Sequence, residues 1–270
     1  MKQFVFQPNP NTNAKVTAFL HSPIITMENH RTHRPSVIVI PGGAYQYCSL
    51  REEDPVVMEY LAAGFHVFLL DYSVDQNAKN YAPLCDLGHT IMTIRQNAES
   101  WGCIPHQIAV IGFSAGGHLA ACSGTMWNEA PLQNHLNSFD SMHRPDAMIL
   151  CYPVICANEH AHQLSIELVS GAQKGTKEYE FWSVDKHVDN QTCPAFIWHT
   201  ITDQSVPVEN SIAMITALQK HHISYECHLF PEGIHGMSVC TKETGSADSY
   251  NRRWVDMSIE WLYKLFNYQK

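Results

Sequence analysis

The sequence predicts an α/β fold in which a mostly parallel sheet is covered by helices on both faces. Short apolar runs alternate along the chain with segments of helical periodicity. Runs such as residues 36–40 are apolar almost throughout, which is typical of strands buried on both faces of a sheet. This alternation favours parallel strands that are joined by helices.

The strands and helices can be placed in chain order from apolar periodicity and from helix start and stop signals. Gly64 ends the first helix, and Pro83 begins the second. The predicted strands cover residues 36–40, 66–71, 107–111, 146–151, 195–199 and 225–230. The predicted helices cover residues 52–63, 83–101, 115–126, 208–221 and 251–266. Within the first 35 residues, an apolar run at 17–20 between Pro and Asn turns predicts additional antiparallel edge strands.

One domain over residues 1–270 is expected, because the chain has no internal repeat, low-complexity segment or linker. Residues 154–192 interrupt the alternation with a helical stretch at 163–169, a turn rich in Gly and Lys, and three aromatic residues. Two interpretations stay open. The segment is either a small cap whose aromatic and polar wall faces a substrate, or surface decoration whose aromatic residues enter the core. The aromatic residues are Tyr179, Phe181 and Trp182.

Composition excludes several classes of partner. The chain has 17 Lys and Arg against 26 Asp and Glu, a net charge of −9, which argues against nucleic acid and anionic membranes. The N-terminus lacks the apolar region of a secretion signal, and no apolar stretch is long enough to span a bilayer. Nine cysteines without a C-x-x-C pair favour reduced thiols. These features predict a cytoplasmic protein, and they leave open whether it forms a homodimer.

No metal or other cofactor is expected. The chain has 17 histidines, and their densest cluster is Glu159, His160 and His162. This cluster lacks a complementary set of ligands elsewhere in the chain. A solvated junction between a loop and a helix is the interpretation that we favour for it.

The motif Gly112-Phe-Ser-Ala-Gly116 joins the predicted strand at 107–111 to the predicted helix at 115–126. The G-x-S-x-G spacing allows a strained turn from strand to helix, since side chains at either glycine would clash with neighbouring elements. Ser114 would project alone at the positive end of the helix. It is the candidate nucleophile.

A serine nucleophile needs a histidine base, and the base needs an acid to orient it. In sheets of this kind the three are expected in the order serine, acid, histidine, each after the carboxyl end of a strand. Asp203 follows the predicted strand at 195–199, and His235 lies between two glycines after the last strand. Asp203 and His235 are therefore the candidate acid and base. The alternatives fit less well, because two precede the acid's strand and one lies within a strand: Asp185, Asp189 and His228.

The reaction also requires amides that stabilise an oxyanion. One is expected from Ala115, directly after the serine, and others from the loop Pro41-Gly-Gly-Ala-Tyr45. We expect Gly43 and Ala44 to supply them, with Gly42 as the alternative.

With these residues the chain resembles an α/β-hydrolase, and more narrowly the bacterial esterases and acetylxylan esterases related to the hormone-sensitive-lipase branch. The resemblance extends from residue 37 to 266 and supports the same triad, with Gly43 and Ala115 as oxyanion donors. That branch usually has the sequence HGGG where this chain has Pro41-Gly-Gly-Ala44, so the oxyanion amides are less well specified than the triad. The motifs are PGGAY (41–45), GFSAGGHLA (112–120), SVDKHV (183–188), HTITDQSVPVENS (199–211) and PEGIHG (231–236).

The resemblance implies acyl transfer to water. The sequence predicts a serine carboxylesterase that hydrolyses short-chain acyl esters, acetyl esters of carbohydrates among them, through an acyl-enzyme. One alternative is a hydrolase of amides, formamides or small peptides with the same triad. The other is a hydrolase-fold protein that only binds its ligand, which the intact Ser, Asp and His disfavour. The expected partner is a small-molecule ester.

Overall fold

Eight strands form one sheet in the computed structural model, which describes residues 1–23, 25 and 31–268. The strands are β1 (Lys2–Phe6), β2 (Lys15–Leu20), β3 (Arg34–Ile40), β4 (His66–Asp71), β5 (Cys103–Phe113), β6 (Ala147–Cys151), β7 (Ala195–Thr200) and β8 (Tyr225–Phe230). Their order across the sheet is β1-β2-β4-β3-β5-β6-β7-β8. The six strands from β4 to β8 in this order are parallel, whereas β1 and β2 pair antiparallel at one edge. The predicted antiparallel edge is thus confirmed.

Helices cover both faces of the sheet, as the sequence predicts. They are α1 (Asp54–Ala62), α2 (Ala82–Gln96), α3 (Ala98–Trp101), α4 (Ala115–Thr125), α5 (Ala130–Leu136), α6 (Gln163–Ser170), α7 (Lys177–Glu180), α8 (Glu209–Lys220) and α9 (Arg253–Leu265). Alternate residues of the strands face opposite sides: Ile108 and Val110 join one core cluster, while Ala109 and Ile111 join the other. Helices α1 and α9 pack on the second cluster, and the remaining helices contribute to the first.

One helix prediction was wrong in detail, and one short helix between β5 and β6 was missed. The helix predicted over 83–101 is divided into α2 and α3, because Asn97 leaves helical geometry and its side-chain amide donates to the Thr93 carbonyl at 2.8 Å. Such local side-chain bonds compete with the helix. The short helix α5 was not predicted, and Pro131 lies in its first turn.

The segment 154–192 is fixed to the rest of the protein by hydrogen bonds at its start. The amides of Ile155 and Cys156 both donate to the Asn210 side-chain oxygen at 2.9 Å. Two of its three aromatic residues, Tyr179 and Trp182, are buried in the core, while Phe181 is only partly buried. Tyr179 and Trp182 therefore follow the second interpretation of this segment, in which its aromatic residues enter the core.

His118 on α4 joins this segment to the loop after β3. The Trp182 carbonyl lies 2.9 Å from Nε2 of His118, and the Tyr45 hydroxyl lies 2.9 Å from Nδ1. Because a carbonyl can only accept, Nε2 carries the proton and Nδ1 accepts from Tyr45. The neutral imidazole therefore satisfies both partners, and a second proton would displace the bond from Tyr45.

We predict that the protein loses stability when the pH falls from 6.5 towards 4. Burial lowers the pKa of His118 to about 4, and it lowers the pKa of His66 in the same way. In the unfolded chain these histidines take up protons near pH 6.5, so over this window only the unfolded state gains them. Each histidine then lowers the free energy of unfolding by about 1.4 kcal/mol per pH unit. Urea unfolding at several values of pH between 7 and 5 measures the slope.

His118→Gln should reduce the dependence of the free energy of unfolding on pH by the contribution of one histidine. His106→Gln, at an exposed position, is the matched control. If the H118Q variant lost as much stability between pH 7 and pH 5 as the wild type does, His118 would not be one of the responsible groups.

Candidate active site

Ser114 lies in a tight turn between β5 and α4, with φ +54° and ψ −115°. This backbone region is unfavourable for a residue with a side chain, at a cost of about 1–3 kcal/mol. Two glycines permit the turn: a Cβ on Gly112 would lie 2.1 Å from the Gly116 carbonyl oxygen, and one on Gly116 would lie 2.2 Å from that of Ile40. The geometry agrees with the clash that the G-x-S-x-G spacing predicts.

The three candidate triad residues are in contact, although they are far apart in the chain. Ser114 Oγ lies 2.8 Å from His235 Nε2, and His235 Nδ1 lies 2.7 Å from Asp203 Oδ2. Asp203 follows β7 and His235 follows β8, so parallel strands bring both to the carboxyl edge of the sheet beside Ser114. In this arrangement, the histidine can accept the serine proton while the carboxylate orients the ring.

The surroundings of Asp203 stabilise its charged form. Its Oδ1 accepts hydrogen bonds from the Ser205 and Val206 amides, both at 2.9 Å. Its Oδ2 faces His235 and also lies 3.3 Å from Nε2 of the buried His199. Burial by itself would raise the pKa of Asp203, but the hydrogen bonds from the two histidines and from Val206 hold it well below its usual range. The carboxylate is therefore ionised at neutral pH.

His199 was missed by the sequence analysis. It is the fifth residue of β7 and its Nδ1 lies 2.8 Å from the Ser211 hydroxyl. Its Nε2 lies 3.0 Å from the Val206 carbonyl, which requires a proton on that nitrogen and turns the same N–H towards Asp203. The sequence offers only a weak signal for this role, a histidine within a buried strand four residues before the acid.

The alternative acids and base have other partners. Asp185 accepts a hydrogen bond from the Ser183 hydroxyl at 2.7 Å, and Asp189 accepts from an amide of its own turn. His228 pairs with Glu226 at 2.9 Å. The structure thus places these three residues in local contacts.

The loop after β3 lies beside Ser114, and one of its expected amides is already occupied. The Gly42 N–H donates to the Glu52 carboxylate at 2.7 Å, so Gly42 is wrong as the alternative oxyanion donor. Within the described residues, the amides of Gly43, Ala44 and Ala115 donate no hydrogen bond. Gly43 has φ +121° and Ala44 has φ +58°, which turns the chain sharply at this point. The amides of Gly43, Ala44 and Ala115 therefore remain the predicted donors to the oxyanion.

A buried hydrogen-bonded chain connects this loop to the histidine loop, and sequence reasoning missed it. Glu52 accepts from Gly42 and, at 2.7 Å, from the Tyr152 hydroxyl, which in turn accepts from the Ser238 amide at 2.9 Å. The Tyr152 ring meets the His235 ring edge to face with centroids 5.0 Å apart. Burial raises the pKa of Glu52, while the bonds from Tyr152 and Gly42 oppose that shift. These hydrogen bonds hold the loop after β3 and the histidine loop in a fixed relation to Ser114.

The residues considered for a metal have other neighbours. His162 Nδ1 lies 2.8 Å from the Ser165 hydroxyl, and His160 faces Glu159 at 3.9 Å. Across the described ranges 1–23, 25 and 31–268, no three His, Cys, Asp or Glu side chains are grouped so that they could hold a metal ion. In the same ranges, no helix combines the length and apolar character needed to cross a membrane.

Sequence comparison finds relatives that are named a xylanase and an acetylxylan esterase. The chain is 31% identical over 245 residues to endo-1,4-beta-xylanase B of Butyrivibrio fibrisolvens. The aligned residues cover 90% of this chain and 38% of the relative. It is 29% identical over 214 residues to an acetylxylan esterase of Xylanibacter ruminicola, covering 76% of this chain and 42% of the relative. The chain therefore spans about two fifths of the length of these curated relatives.

Structural comparison extends the likeness to the whole fold. The acetyl ester-xyloside bifunctional hydrolase from Caldicellulosiruptor lactoaceticus superimposes with a TM-score of 0.82 at 31% identity, covering 98% of this chain and 92% of that one. The BD-FAE family model matches residues 23–218. These findings confirm the resemblance to α/β-hydrolase esterases that the motifs indicate. The chain has the α/β-hydrolase fold and belongs to the BD-FAE family.

Proposed function

We propose that the protein is a serine carboxylesterase that hydrolyses short acyl esters, acetyl esters of carbohydrates among them, through an acyl-enzyme. The observation that carries the proposal is the continuous chain of contacts from Ser114 to His235 to Asp203, at 2.8 and 2.7 Å. Ordinary turn or capping roles would not require these three residues to be in contact. A nucleophile, its base and its acid must be in contact to act together.

In the first half of the reaction, Ser114 Oγ attacks the ester carbonyl carbon while His235 Nε2 takes its proton. The carbonyl oxygen becomes an oxyanion, which the amides of Gly43, Ala44 and Ala115 stabilise, each by roughly 3 kcal/mol. The imidazolium, held by Asp203, then protonates the alcohol oxygen as the bond between carbon and that oxygen breaks. The alcohol leaves, and the acyl group stays on the serine.

In the second half, His235 takes a proton from water, and the resulting hydroxide attacks the acyl carbon. The intermediate collapses with return of the proton to Ser114 Oγ, which releases the carboxylic acid. The low pKa of Asp203 supports this cycle, because the carboxylate stays charged each time the imidazolium forms.

The substrate class rests on the relatives. One of them is named an acetylxylan esterase, and a structural neighbour is named an acetyl ester-xyloside bifunctional hydrolase.

We predict that acetyl and butyryl esters are hydrolysed with much higher kcat/KM than octanoyl and palmitoyl esters. The p-nitrophenyl series keeps the leaving group constant, so the ratios report acyl length alone. Acetylated xylo-oligosaccharides and an aryl formamide, assayed in parallel, separate an esterase from an amide hydrolase. A kcat/KM that climbs from acetate to palmitate would contradict the short-acyl proposal, and turnover of the formamide alone would contradict the esterase.

A further inference from the structure

The side chain of Arg51 lies directly against the histidine loop. A Cβ built on Gly236 would lie 3.1 Å from Cζ of Arg51 and 3.2 Å from both terminal guanidinium nitrogens. The guanidinium therefore covers the backbone of the residue that follows His235. Gly236 makes this approach possible, since any side chain there would push the guanidinium away, and its φ of +76° disfavours a side chain as well.

The position of Arg51 is fixed on both sides. Its carbonyl accepts a hydrogen bond from the Ser238 hydroxyl at 2.6 Å, which ties it to the histidine loop. The next residue, Glu52, binds the Gly42 amide in the loop after β3. Arg51 thus sits between the two loops that flank Ser114, although the residue itself is exposed.

The Arg51 guanidinium has an electrostatic neighbour in the adjacent Glu52, because its charge opposes the rise that burial causes in the pKa of Glu52. Among the described residues, however, the Arg51 side chain makes no direct hydrogen bond, ion pair or aromatic contact, whereas each of the other six arginines makes at least one. Those six are Arg31, Arg34, Arg95, Arg144, Arg252 and Arg253. In a chain with a net charge of −9, a cation without a direct ion pair beside the candidate base is a local exception to the overall charge.

We propose that Arg51 binds a carboxylate on the alcohol half of the substrate, as in an acetylated acidic sugar. The proposal rests on the esterase function proposed above. His235 protonates the departing alcohol, so the alcohol half lies next to His235, and the Arg51 guanidinium lies against the adjacent Gly236. A guanidinium presents a planar pair of donors that matches a carboxylate. Arg51 is therefore a specificity-determining residue, and acetyl esters of neutral alcohols are the less favoured substrates.

The test compares two acetyl esters that differ in one charge, 4-acetoxybenzoate and its methyl ester. In Arg51→Gln we expect kcat/KM for 4-acetoxybenzoate to fall about tenfold, mainly through KM, as for the loss of one charge-assisted contact. The methyl ester has no carboxylate for Arg51 to bind, so its kcat/KM should change less than about twofold. The ratio of variant to wild type cancels the different reactivity of the two esters. Arg51→Lys should keep part of the preference, and Lys79→Gln, at an exposed lysine, is the matched control for general charge.

A binding measurement separates this inference from the proposed function. In the Ser114→Ala background, calorimetry compares 4-hydroxybenzoate with methyl 4-hydroxybenzoate, with and without Arg51→Gln. We expect Arg51→Gln to weaken only the anion, by about tenfold. Equal losses for the anionic and neutral compounds, or no change for either, would overturn the role of Arg51. Failure of the wild type to hydrolyse any ester would count against the proposed function, while the binding ratios still decide the role of Arg51.

Discussion

Replacement of Ser114 by alanine is expected to lower kcat for p-nitrophenyl acetate by about 10⁶, the size of loss seen when a triad nucleophile is removed. No other hydroxyl is needed for the reaction that we propose, because the contacts join His235 Nε2 to Ser114 Oγ. The fold should survive, since alanine adopts the strained backbone at this turn no less readily than serine does. Circular dichroism and urea unfolding check the fold, and single-turnover kinetics check the chemical step.

Ser123→Ala is the matched control for this variant. Ser123 lies on the same helix, is also buried, and donates only to the Ala120 carbonyl at 2.7 Å. It should keep nearly full activity. An organophosphate should add its phosphoryl group to Ser114 in the wild type and to no residue in the Ser114→Ala variant. Near-normal turnover by folded S114A, or a phosphoryl group on another residue, would show that the nucleophile lies elsewhere.

Replacement of Asp203 by asparagine is expected to lower kcat by about 10⁴, because the acid both fixes the histidine tautomer and stabilises the imidazolium. The amide oxygen can still accept from the Ser205 and Val206 backbones, so the turn should remain folded. The amide nitrogen, however, would face Nδ1 of His235 and favour the wrong tautomer. It would also leave the N–H of His199 without its carboxylate.

A matched control gives a second measure of the same variant. The neutral imidazole of His235 must accept the serine proton, so Asp203→Asn should also lower kcat/KM for p-nitrophenyl acetate. Asp185→Asn is the matched control, since Asp185 is an alternative acid that precedes β7 and accepts a hydrogen bond from Ser183. If D203N kept full activity while D185N lost it, the acid would have to be reassigned.

Much of the candidate site could be predicted because its residues follow strand ends. Ser114, Asp203 and His235 each lie in the turn or loop that follows an apolar strand, and parallel strands place such ends at one edge of the sheet. The glycines at 112 and 116 mark the turn because any side chain there would overlap backbone atoms. Apolar runs and turn residues are local signals, because they consist of residues that are close together in the sequence. They can be recognised without knowledge of the tertiary structure.

The sequence by itself thus determined the α/β class, the parallel sheet with an antiparallel edge, and the strand ends at which Ser114, Asp203 and His235 lie. The tertiary structure alone decided which side chains meet across the chain. Glu52 accepts the hydrogen bond of the Gly42 amide and thereby excludes Gly42 as the alternative donor, and Arg51 covers Gly236, 185 positions further along the sequence. Burial of Trp182 against α4 likewise depends on packing. These contacts join residues that share no periodicity or motif, so only the packing of distant segments determines them.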